Sequence, residues 1–274
     1  MEILEVLKAA IIGVIQGITE WLPISSTGHM ILADEFIKLG TSTGKEFWDM
    51  FSTVIQLGSI LAVLVLYFHK LNPFSPKKNK EEKTQTYNLW LKVILASVPA
   101  AIIGFALRDF IKEQLYGPIT IAITLILYGI LFIVMESRKR KSPIDSFEKL
   151  DYKMALLIGA FQVLALIPGT SRSGATILGA VLLGTSRGIA AEFSFFLALP
   201  VMFGASAYEL LKFGFSYSPL ELVILLTGTV VAFLVSIAAI KFLMGYIKKH
   251  DFKAFGYYRI VLGIIVLLYF LLIK

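Results

Sequence analysis

Two segments of this chain carry the same pattern, a polar turn rich in hydroxyl groups inside sequence that is otherwise strongly apolar. They cover residues 12–30 and 158–176. Four positions recur 146 residues later, so that Gly13, Gln16, Ser25 and Gly28 correspond to Gly159, Gln162, Ser171 and Gly174. This repetition indicates that the polar residues serve a purpose. It predicts two related halves, residues 1–140 and 150–274, within a single transmembrane domain that covers residues 1–274.

The apolar sequence around these turns predicts an integral membrane protein. Hydrophobic residues make up 57% of the chain and charged residues 16%, whereas a soluble domain has about 45–50% apolar residues. A helix of about 20 residues crosses a hydrocarbon layer of about 30 Å. Six segments have this length: residues 51–69, 90–107, 118–135, 190–211, 220–240 and 257–273. The sequence therefore predicts six spanning helices.

Cysteine usage and the first residues add two narrower expectations. The chain has no cysteine, which excludes disulfides and thiol chemistry but leaves the redox compartment open. Glu2 and Glu5 precede a single Lys8, and the apolar run continues into the first polar motif. This start lacks the basic region and the small-residue cleavage site of a signal peptide, so we expect the N-terminus to be retained.

The net charge of +7 is concentrated in three loops between the predicted spans, at residues 77–83, 138–153 and 241–253. Cytoplasmic loops of membrane proteins collect Lys and Arg. A nucleic-acid-binding patch would show interleaved aromatic residues and one continuous basic face, which these separate clusters lack. We therefore place the three loops in the cytoplasm and expect no nucleic-acid partner.

These anchors predict an inverted repeat. The span at 51–69 then runs inward and the span at 190–211 runs outward, so the first motif enters the membrane from outside and the second from the cytoplasm. Each half consists of a re-entrant hairpin followed by three spans. The expected fold is an all-α polytopic membrane protein with six spanning helices and two re-entrant helix hairpins. Irregular backbone at membrane depth must be buried in protein or line a wet cavity, so the two polar turns should meet.

Such a meeting point is suited to an anion. Pro23 and Pro168 each end an apolar stretch, and the Ser and Thr residues that follow can cap new helices over residues 29–38 and 175–183. Helix N-termini offer free N–H groups and a partial positive charge. Arg172 adds a planar cation for phosphate. Because a charge at the bilayer centre costs about 2.5–3.5 kcal/mol, Arg172 needs a partner, and an anionic ligand is the natural candidate.

A carboxylate next to this pocket indicates chemistry beyond anion binding. Glu20 would repel a phosphate unless a cation or a proton intervenes, and Gln16 projects from the same helix face one turn earlier. Two oxygen ligands with phosphates completing the shell suit Mg²⁺ or Ca²⁺. His29, three residues after Ser26, can take a proton from Ser26 or donate one to a leaving group. Glu20, Ser26, His29 and Arg172 together form the inventory of a phosphoryl-transfer site.

At these residues the chain resembles a known family. QGITEWLPISSTGH (residues 16–29) and PGTSRSGAT (residues 168–176) look like the two signature motifs of the undecaprenyl-diphosphate phosphatase family, also called bacitracin-resistance proteins. The likeness extends to IQLGSILAVL (residues 55–64) and EFSFFLALP (residues 192–200). The resemblance implies a bacterial inner-membrane hydrolase that converts undecaprenyl diphosphate to the monophosphate, recycling the carrier for cell-wall synthesis and conferring bacitracin resistance. It also implies an inverted repeat with re-entrant helices.

Carried over by residue, the resemblance assigns the site. Its catalytic residues correspond to Glu20, Ser26, His29 and Arg172, and its metal ligands to Glu20 and Gln16. Its substrate-binding residues correspond to Gln16, Ser25, Thr27, Thr170, Ser171 and Ser173. Gln16 stands where some members have Glu, so Glu20 must carry the work of proton acceptor and metal ligand. Ser26 is the favoured nucleophile, while attack by His29 or by metal-bound water stays open.

Other functions and smaller expectations accompany this hypothesis. Inverted repeats with broken helices are typical of secondary transporters, so an anion or lipid-phosphate carrier is the alternative. The expected partners are a polyprenyl diphosphate that enters sideways from the bilayer and, as the candidate assembly, a homodimer. The site is expected to face the outer side. Arg187 and Glu192 are candidates for an ion pair at the cytoplasmic end of the second hairpin, and Gly58, Gly104 and Gly129 for close helix packing.

Overall fold

The computed structural model describes residues 2–39, 44–138 and 141–272, so residues 139 and 140 of the second basic cluster lie outside the described residues. In chain order the helices are α1 (Glu2–Thr19), α2 (Ser26–Phe36), α3 (Lys45–Val54), α4 (Gln56–Leu66), α5 (Phe68–Leu71), α6 (Lys80–Ala106), α7 (Arg108–Phe110), α8 (Pro118–Ser137), α9 (Tyr152–Leu164), α10 (Arg172–Leu182), α11 (Arg187–Phe213), α12 (Pro219–Tyr246) and α13 (Lys253–Leu272). A π-helical turn, Ile111–Leu115, lies between α7 and α8.

The predictions of an all-α fold and six spanning helices are confirmed for the described residues. Six helical segments are long and apolar enough to cross a membrane: Lys45–Leu66, which joins α3 and α4, and α6, α8, α11, α12 and α13. Several of them extend beyond the predicted apolar segments. Helix α6 starts at Lys80, ten residues before the predicted span, because Asn79 and Glu82 form a capping box around a charged first turn. Hydropathy detects only the apolar part of such a helix.

The two halves interlock through their helix contacts. Helix α1 of the first half packs on α12 of the second, and α9 of the second half packs on α6 of the first. The last helices of the halves, α8 and α13, pack on each other. Each of these helices thus packs on a helix of the other half, and the contacts come in corresponding pairs, as expected for a duplicated chain. The inverted orientation of the halves and the re-entrant path of the two motifs stay predictions.

Glycines permit the closest of these contacts. A Cβ at Gly159 would lie 2.1 Å from the Ala96 carbonyl oxygen of α6, and one at Gly13 would lie 2.7 Å from the Gly228 oxygen of α12. Two of the packing glycines predicted from the sequence behave in the same way, since a Cβ would lie 2.1 Å from the Thr229 oxygen at Gly58 and 2.7 Å from the Gly256 oxygen at Gly129. At Gly104 it would meet only the Leu166 side chain, at 3.0 Å. Small residues let the backbones approach without a side chain between them. Each motif helix is thereby held against a long span of the other half.

The ion pair expected between Arg187 and Glu192 is wrong. Arg187 instead binds Glu136 of α8 through both ends of its guanidinium, with Nε to Oε1 at 2.8 Å and Nη2 to Oε2 at 2.6 Å. Glu192 pairs with Lys70. Both partners come from the first half of the chain, which sequence proximity could not indicate. These pairs tie α11 to α8 and α5 at the predicted cytoplasmic end.

Candidate active site

The polar turns of the two motifs meet in the fold. The first turn connects α1 to α2, and the second connects α9 to α10. Ser173, in the first turn of α10, donates a hydrogen bond to the Glu20 carbonyl oxygen at 3.1 Å. The fold therefore joins two stretches that lie 153 residues apart.

Each turn ends in a serine that caps the following helix. Ser25 Oγ accepts from the Gly28 N–H at 3.3 Å, and Ser171 Oγ accepts from the Gly174 N–H at 3.1 Å. These caps start the helices three residues earlier than predicted, at Ser26 and Arg172. Gly28 and Gly174 thus recur in the repeat as the backbone donors to the two caps.

Both capping serines have an unusual backbone. The φ angle is 75° at Ser25 and 73° at Ser171, and they are the non-glycine residues with positive φ in the described chain. Such a conformation costs on the order of 1–3 kcal/mol and persists only where the surroundings impose it. The same strain at equivalent positions turns both helix N-termini toward one place. The first residues of the two helices, Ser26 and Arg172, both bind Glu20.

Glu20 is the centre of the polar cluster and is only 5% exposed. Its Oε1 accepts from Arg172 Nη2 at 3.0 Å. Its Oε2 accepts from Ser26 Oγ at 3.0 Å and from Gln16 Nε2 at 3.0 Å. The expected one-turn pairing of Gln16 with Glu20 is present, with Gln16 as the donor. The carboxylate connects a hydroxyl of the first half to a guanidinium of the second.

Arg172 is held by groups on three sides. Nη1 donates to the Ser194 carbonyl oxygen at 2.6 Å and lies 3.3 Å from Ser194 Oγ on α11. The guanidinium also lies over the Trp21 ring, with its central carbon 5.6 Å from the ring centroid. Its buried Nε–H has no hydrogen-bond partner among the described residues. Sequence reasoning missed Ser194 and Trp21, although Trp21 stands next to Glu20 in the first motif.

His29 lies beside this cluster with both ring nitrogens engaged. Nδ1 is 2.7 Å from the Ser25 carbonyl oxygen, and Nε2 is 2.7 Å from the Tyr258 hydroxyl on α13. Because a carbonyl oxygen only accepts, Nδ1 carries a proton, and in the neutral ring Nε2 accepts from Tyr258.

The Ser26 hydroxyl donates to Glu20, so Glu20 is the base placed at the predicted nucleophile.

The remaining predicted residues surround the cluster to different degrees. Ser171 Oγ lies 3.1 Å from Ser173 Oγ. Thr170 is buried, and its hydroxyl has no hydrogen-bond partner in the part of the chain that the structure describes. Thr27 is half-buried in the first turn of α2. Gln162, the repeat partner of Gln16, is buried with both amide atoms unpaired among the described residues, so the repeat is chemically unequal.

Arg259 of α13 is the cation that sequence reasoning did not single out. It is fully buried and donates to the carbonyl oxygens of both polar turns, at 3.2 Å to Pro23 and at 2.9 Å each to Gly169 and Thr170. The sequence held a signal for it, because Arg259 interrupts an apolar segment predicted to span the membrane. A charge inside such a segment is a functional candidate by default.

The residues present fit a metal that is held largely by the substrate. Within residues 2–39, 44–138 and 141–272, no group of three or more His, Cys, Asp or Glu side chains comes together. At the polar cluster the Glu20 carboxylate lies with the Gln16 amide beside it. Mg²⁺ typically takes one or two carboxylates and completes its shell with water and phosphate oxygens. The cluster suits that arrangement and does not suit a cage built from protein alone.

Comparisons with known proteins agree in pointing to one family. The model of the family described as bacitracin resistance protein BacA matches residues 9–265. An undecaprenyl-diphosphatase of Acetivibrio thermocellus is 64% identical over 273 residues, which cover 99% of this chain and 100% of the relative. An undecaprenyl-diphosphatase 1 of Clostridioides difficile is 60% identical over 99% of this chain and 98% of its own length. An undecaprenyl-diphosphatase of Enterococcus faecalis is 59% identical over 96% of this chain and 97% of its own length.

Proposed function

This chain belongs to the bacitracin resistance protein BacA family, and we propose that its Glu20, Ser26 and Arg172 cluster is the active site of an undecaprenyl-diphosphatase. The protein is a multi-pass membrane hydrolase that converts undecaprenyl diphosphate to undecaprenyl phosphate and inorganic phosphate. This reaction recycles the lipid carrier for cell-wall synthesis and confers resistance to bacitracin.

One observation carries the assignment of the site. Ser26 Oγ and Arg172 Nη2 each lie 3.0 Å from the Glu20 carboxylate. A hydroxyl paired with a buried base is the arrangement of an activated nucleophile. A guanidinium beside it supplies the positive charge that phosphoryl transfer requires. Either contact of Glu20 would be ordinary alone. A catalytic role is supported because the hydroxyl of one half and the guanidinium of the other half meet at the same carboxylate.

In the first step, Ser26 gives its hydroxyl proton to Glu20 and its oxygen attacks the terminal phosphorus of the diphosphate. The bond between that phosphorus and the bridging oxygen breaks, and the lipid monophosphate leaves with the electron pair. In the second step, water attacks the phosphoserine while Glu20 returns its proton to the Ser26 oxygen. Inorganic phosphate leaves with the oxygen of that water, and the serine is restored.

The polar turns bind the headgroup in this proposal. The N-termini of α2 and α10 present N–H groups, and Arg172 Nε–H is a buried donor that no described residue uses. Ser25, Thr27, Thr170 and Ser171 supply hydroxyl groups in the two turns or at the helix starts that follow them. Ser173 would have to exchange its bond to the Glu20 carbonyl oxygen for one to a phosphate oxygen. A diphosphate offers enough acceptor oxygens to satisfy these donors together.

His29 is our candidate for the acid that assists the departing lipid phosphate. It lies one helical turn from Ser26 on α2. In the resting site Nε2 is the unprotonated nitrogen and accepts from Tyr258, so this role requires the ring to gain a second proton at Nε2 and to exchange the Tyr258 hydroxyl for a substrate oxygen. Attack by His29 itself would require the same exchange, whereas Ser26 is already paired with its base.

Glu20 and Gln16 are the residues that would hold a divalent cation, Mg²⁺ or Ca²⁺, together with the diphosphate. Such a cation, when bound, neutralises phosphate charge and orients the terminal phosphate. We expect chelation by EDTA to stop phosphate release and added Mg²⁺ to restore it.

The test uses the purified protein in detergent with a polyprenyl diphosphate and Mg²⁺, with phosphate release as the readout. Ser26→Ala is expected to abolish turnover and to remove the phosphoserine that a substrate labelled in its terminal phosphate leaves on the wild type. Ser137→Ala is the matched control, since the Ser137 hydroxyl donates to the Ile133 carbonyl of its own helix, at 2.8 Å, away from the polar turns. Robust hydrolysis by Ser26→Ala would remove Ser26 as nucleophile. Silence of the wild type here, together with anion transport in liposomes, would favour the carrier alternative.

We further propose that the site releases phosphate on the outer side of the inner membrane and that the chain forms a homodimer. The first proposal follows from the basic loops, which place the first hairpin on the outer side. Chemical crosslinking in native membranes tests the second, and a monomer under those conditions would contradict it.

A further inference from the structure

Arg259 is a buried cation placed between the two polar turns. Its side chain is 0% exposed. Nη1 donates to the Pro23 oxygen at 3.2 Å, and Nη2 donates to the Gly169 and Thr170 oxygens, each at 2.9 Å. Pro23 lies two residues before the capping serine Ser25, and Thr170 lies directly before the capping serine Ser171. One guanidinium thus links the backbone at the entry to both strained caps.

The charge of Arg259 is not neutralised by a carboxylate. The ion pairs formed within the described chain do not include it. Its guanidinium lies over the Tyr128 ring, with its central carbon 5.5 Å from the centroid, and its other contacts are carbonyl oxygens. In contrast, Arg172 pairs with Glu20. The Arg172 and Glu20 charges cancel, so Arg259 leaves the turn region with an excess positive charge.

Carbonyl oxygens explain how the side chain is held but not why it is charged. A buried cation without a counter-ion is costly and is retained where its charge has a use. The ligand proposed for these turns is a diphosphate, whose negative charge would be attracted by an excess positive charge nearby. The Nη1 and Nη2 groups are engaged by the carbonyls of the turns, while the buried Nε–H has no hydrogen-bond partner among the described residues. Through these Nη contacts and through its field, Arg259 acts on the site.

We propose that Arg259 is a positioning residue for the hydrolysis, and this proposal rests on the proposed function. Its fork holds the entries to α2 and α10 at a fixed separation, so that Ser26 and Glu20 of one half stay aligned with Arg172 of the other. Its charge favours binding of the diphosphate. Lysine would keep the charge but could not reproduce the planar fork.

Gly174 provides an independent observation for this role. A Cβ at Gly174 would lie 2.9 Å from Arg259 Nη1 and 3.1 Å from the Ser171 Cβ. The absence of a side chain there leaves room for the guanidinium beside the N-terminus of α10. Gly174→Ala therefore crowds both Arg259 and the Ser171 cap without removing a charge, and it provides a second way to disturb the link between Arg259 and the second turn.

The experiment combines turnover, binding and a distance. The variants are Arg259→Met, Arg259→Lys and Gly174→Ala, and the control is Arg187→Met, which removes an arginine that pairs with Glu136 away from the polar turns. Since the chain has no cysteine, Phe36→Cys and Leu182→Cys, at exposed ends of α2 and α10, take spin labels without a background. Pulsed electron–electron double resonance then reports the distribution of distances between the two spin labels, and hence between α2 and α10.

We expect kcat to fall about 100-fold in Arg259→Met and Arg259→Lys, the scale of a misplacement of about 1 Å in a catalytic site. The distance distribution should broaden in both. Affinity for a non-hydrolysable diphosphate analogue should weaken about 10-fold in Arg259→Met and much less in Arg259→Lys, because the ammonium keeps the charge. Gly174→Ala should lower kcat with little loss of affinity, and Arg187→Met should leave kcat and the distribution unchanged.

A purely structural role would change the melting temperature and the yield but not kcat per folded molecule. A folded Arg259 variant with kcat within threefold of the wild type, or with lower kcat and an unchanged distance distribution, overturns the proposal. If neither Arg259 variant folds, Gly174→Ala decides, and normal turnover there overturns it. An inactive wild type would count against the proposed phosphatase activity. The distance measurement would still test whether Arg259 holds α2 and α10 at a fixed separation.

Discussion

At the scale of single residues, the site depends on charges that compensate one another in a buried place. Glu20 is nearly inaccessible to solvent and is stabilised by three donors: Gln16, Ser26 and Arg172. Removing one partner of a buried ion pair typically costs about 3–5 kcal/mol, because the other charge is left without compensation. We therefore expect the cluster to contribute to the stability of the fold as well as to the proposed reaction.

Arg172→Lys is expected to remain folded and to lose at least about 100-fold in turnover. The ammonium keeps the charge opposite Glu20, but it cannot reach Ser194 and Glu20 together as the planar guanidinium does. Phosphate release by the purified variant measures the effect, with the melting temperature recorded on the same sample. Arg187→Lys, changed at an ion pair away from the site, is the control. Turnover near that of the control would count against a role of the Arg172 guanidinium in binding the phosphate.

At the scale of elements, the two short helices depend on caps that are strained in the same way. The φ angles of Ser25 and Ser171 are uncommon for serine, although glycine adopts them freely. The serines persist because their hydroxyls satisfy the free N–H groups of Gly28 and Gly174. The strain is thus retained for the direction in which the helices start.

Replacement of Ser171 separates the cap from the strain. Ser171→Ala loses the cap and keeps the strained φ, which should cost about 0.5–2 kcal/mol, whereas glycine at a cap costs only a few tenths. We expect Ser171→Gly to melt at a higher temperature than Ser171→Ala. Ser186, which caps α11 with an ordinary φ of −64°, is the control site and should show a smaller difference between the same two variants. Equal differences at both sites would show that the backbone of Ser171 carries no strain.

Helix α9 holds the second turn in place through Gly159. A methyl group there would meet the Ala96 carbonyl oxygen at 2.1 Å, and this neighbour is backbone that cannot move aside alone. We expect Gly159→Ala to destabilise the protein by on the order of 1–3 kcal/mol and to lower turnover, because α9 must shift away from α6. Thermal unfolding measures the first effect. Gly188→Ala, with nothing within 4 Å of the added carbon, should be tolerated. A normal melting temperature for Gly159→Ala would contradict the close packing.

At the scale of the whole molecule, the distribution of positive charge determines the predicted orientation. Cysteines placed at Lys149 and Lys249 should react with an impermeant maleimide only after the cells are opened, whereas a cysteine at Phe215 should react in intact cells. All three positions are exposed, and the chain has no cysteine of its own. The unmodified chain is the control for background labelling. Labelling of Lys149→Cys in intact cells would reverse the topology and place the site's opening on the cytoplasmic side.

Much of this molecule follows from local sequence, because hydropathy and helical periodicity are properties of neighbouring residues. They sufficed for the six spans, for the two polar turns, and for the one-turn pairing of Gln16 with Glu20. Helix starts were less accurate, since Ser25 and Ser171 cap α2 and α10 from a backbone conformation that sequence patterns do not encode.

The sequence by itself determined the membrane class, the repeat and the residue types of the site. Only the tertiary structure decided their partners: that Ser26 faces Glu20, that His29 faces Tyr258, and that Arg259 joins both turns. These contacts connect positions up to 236 residues apart. Ser26 and Glu20 are six residues apart in one motif, but the contacts of His29 and Arg259 form only because the helices of the two halves pack across each other. Packing is a property of the whole chain rather than of any one segment.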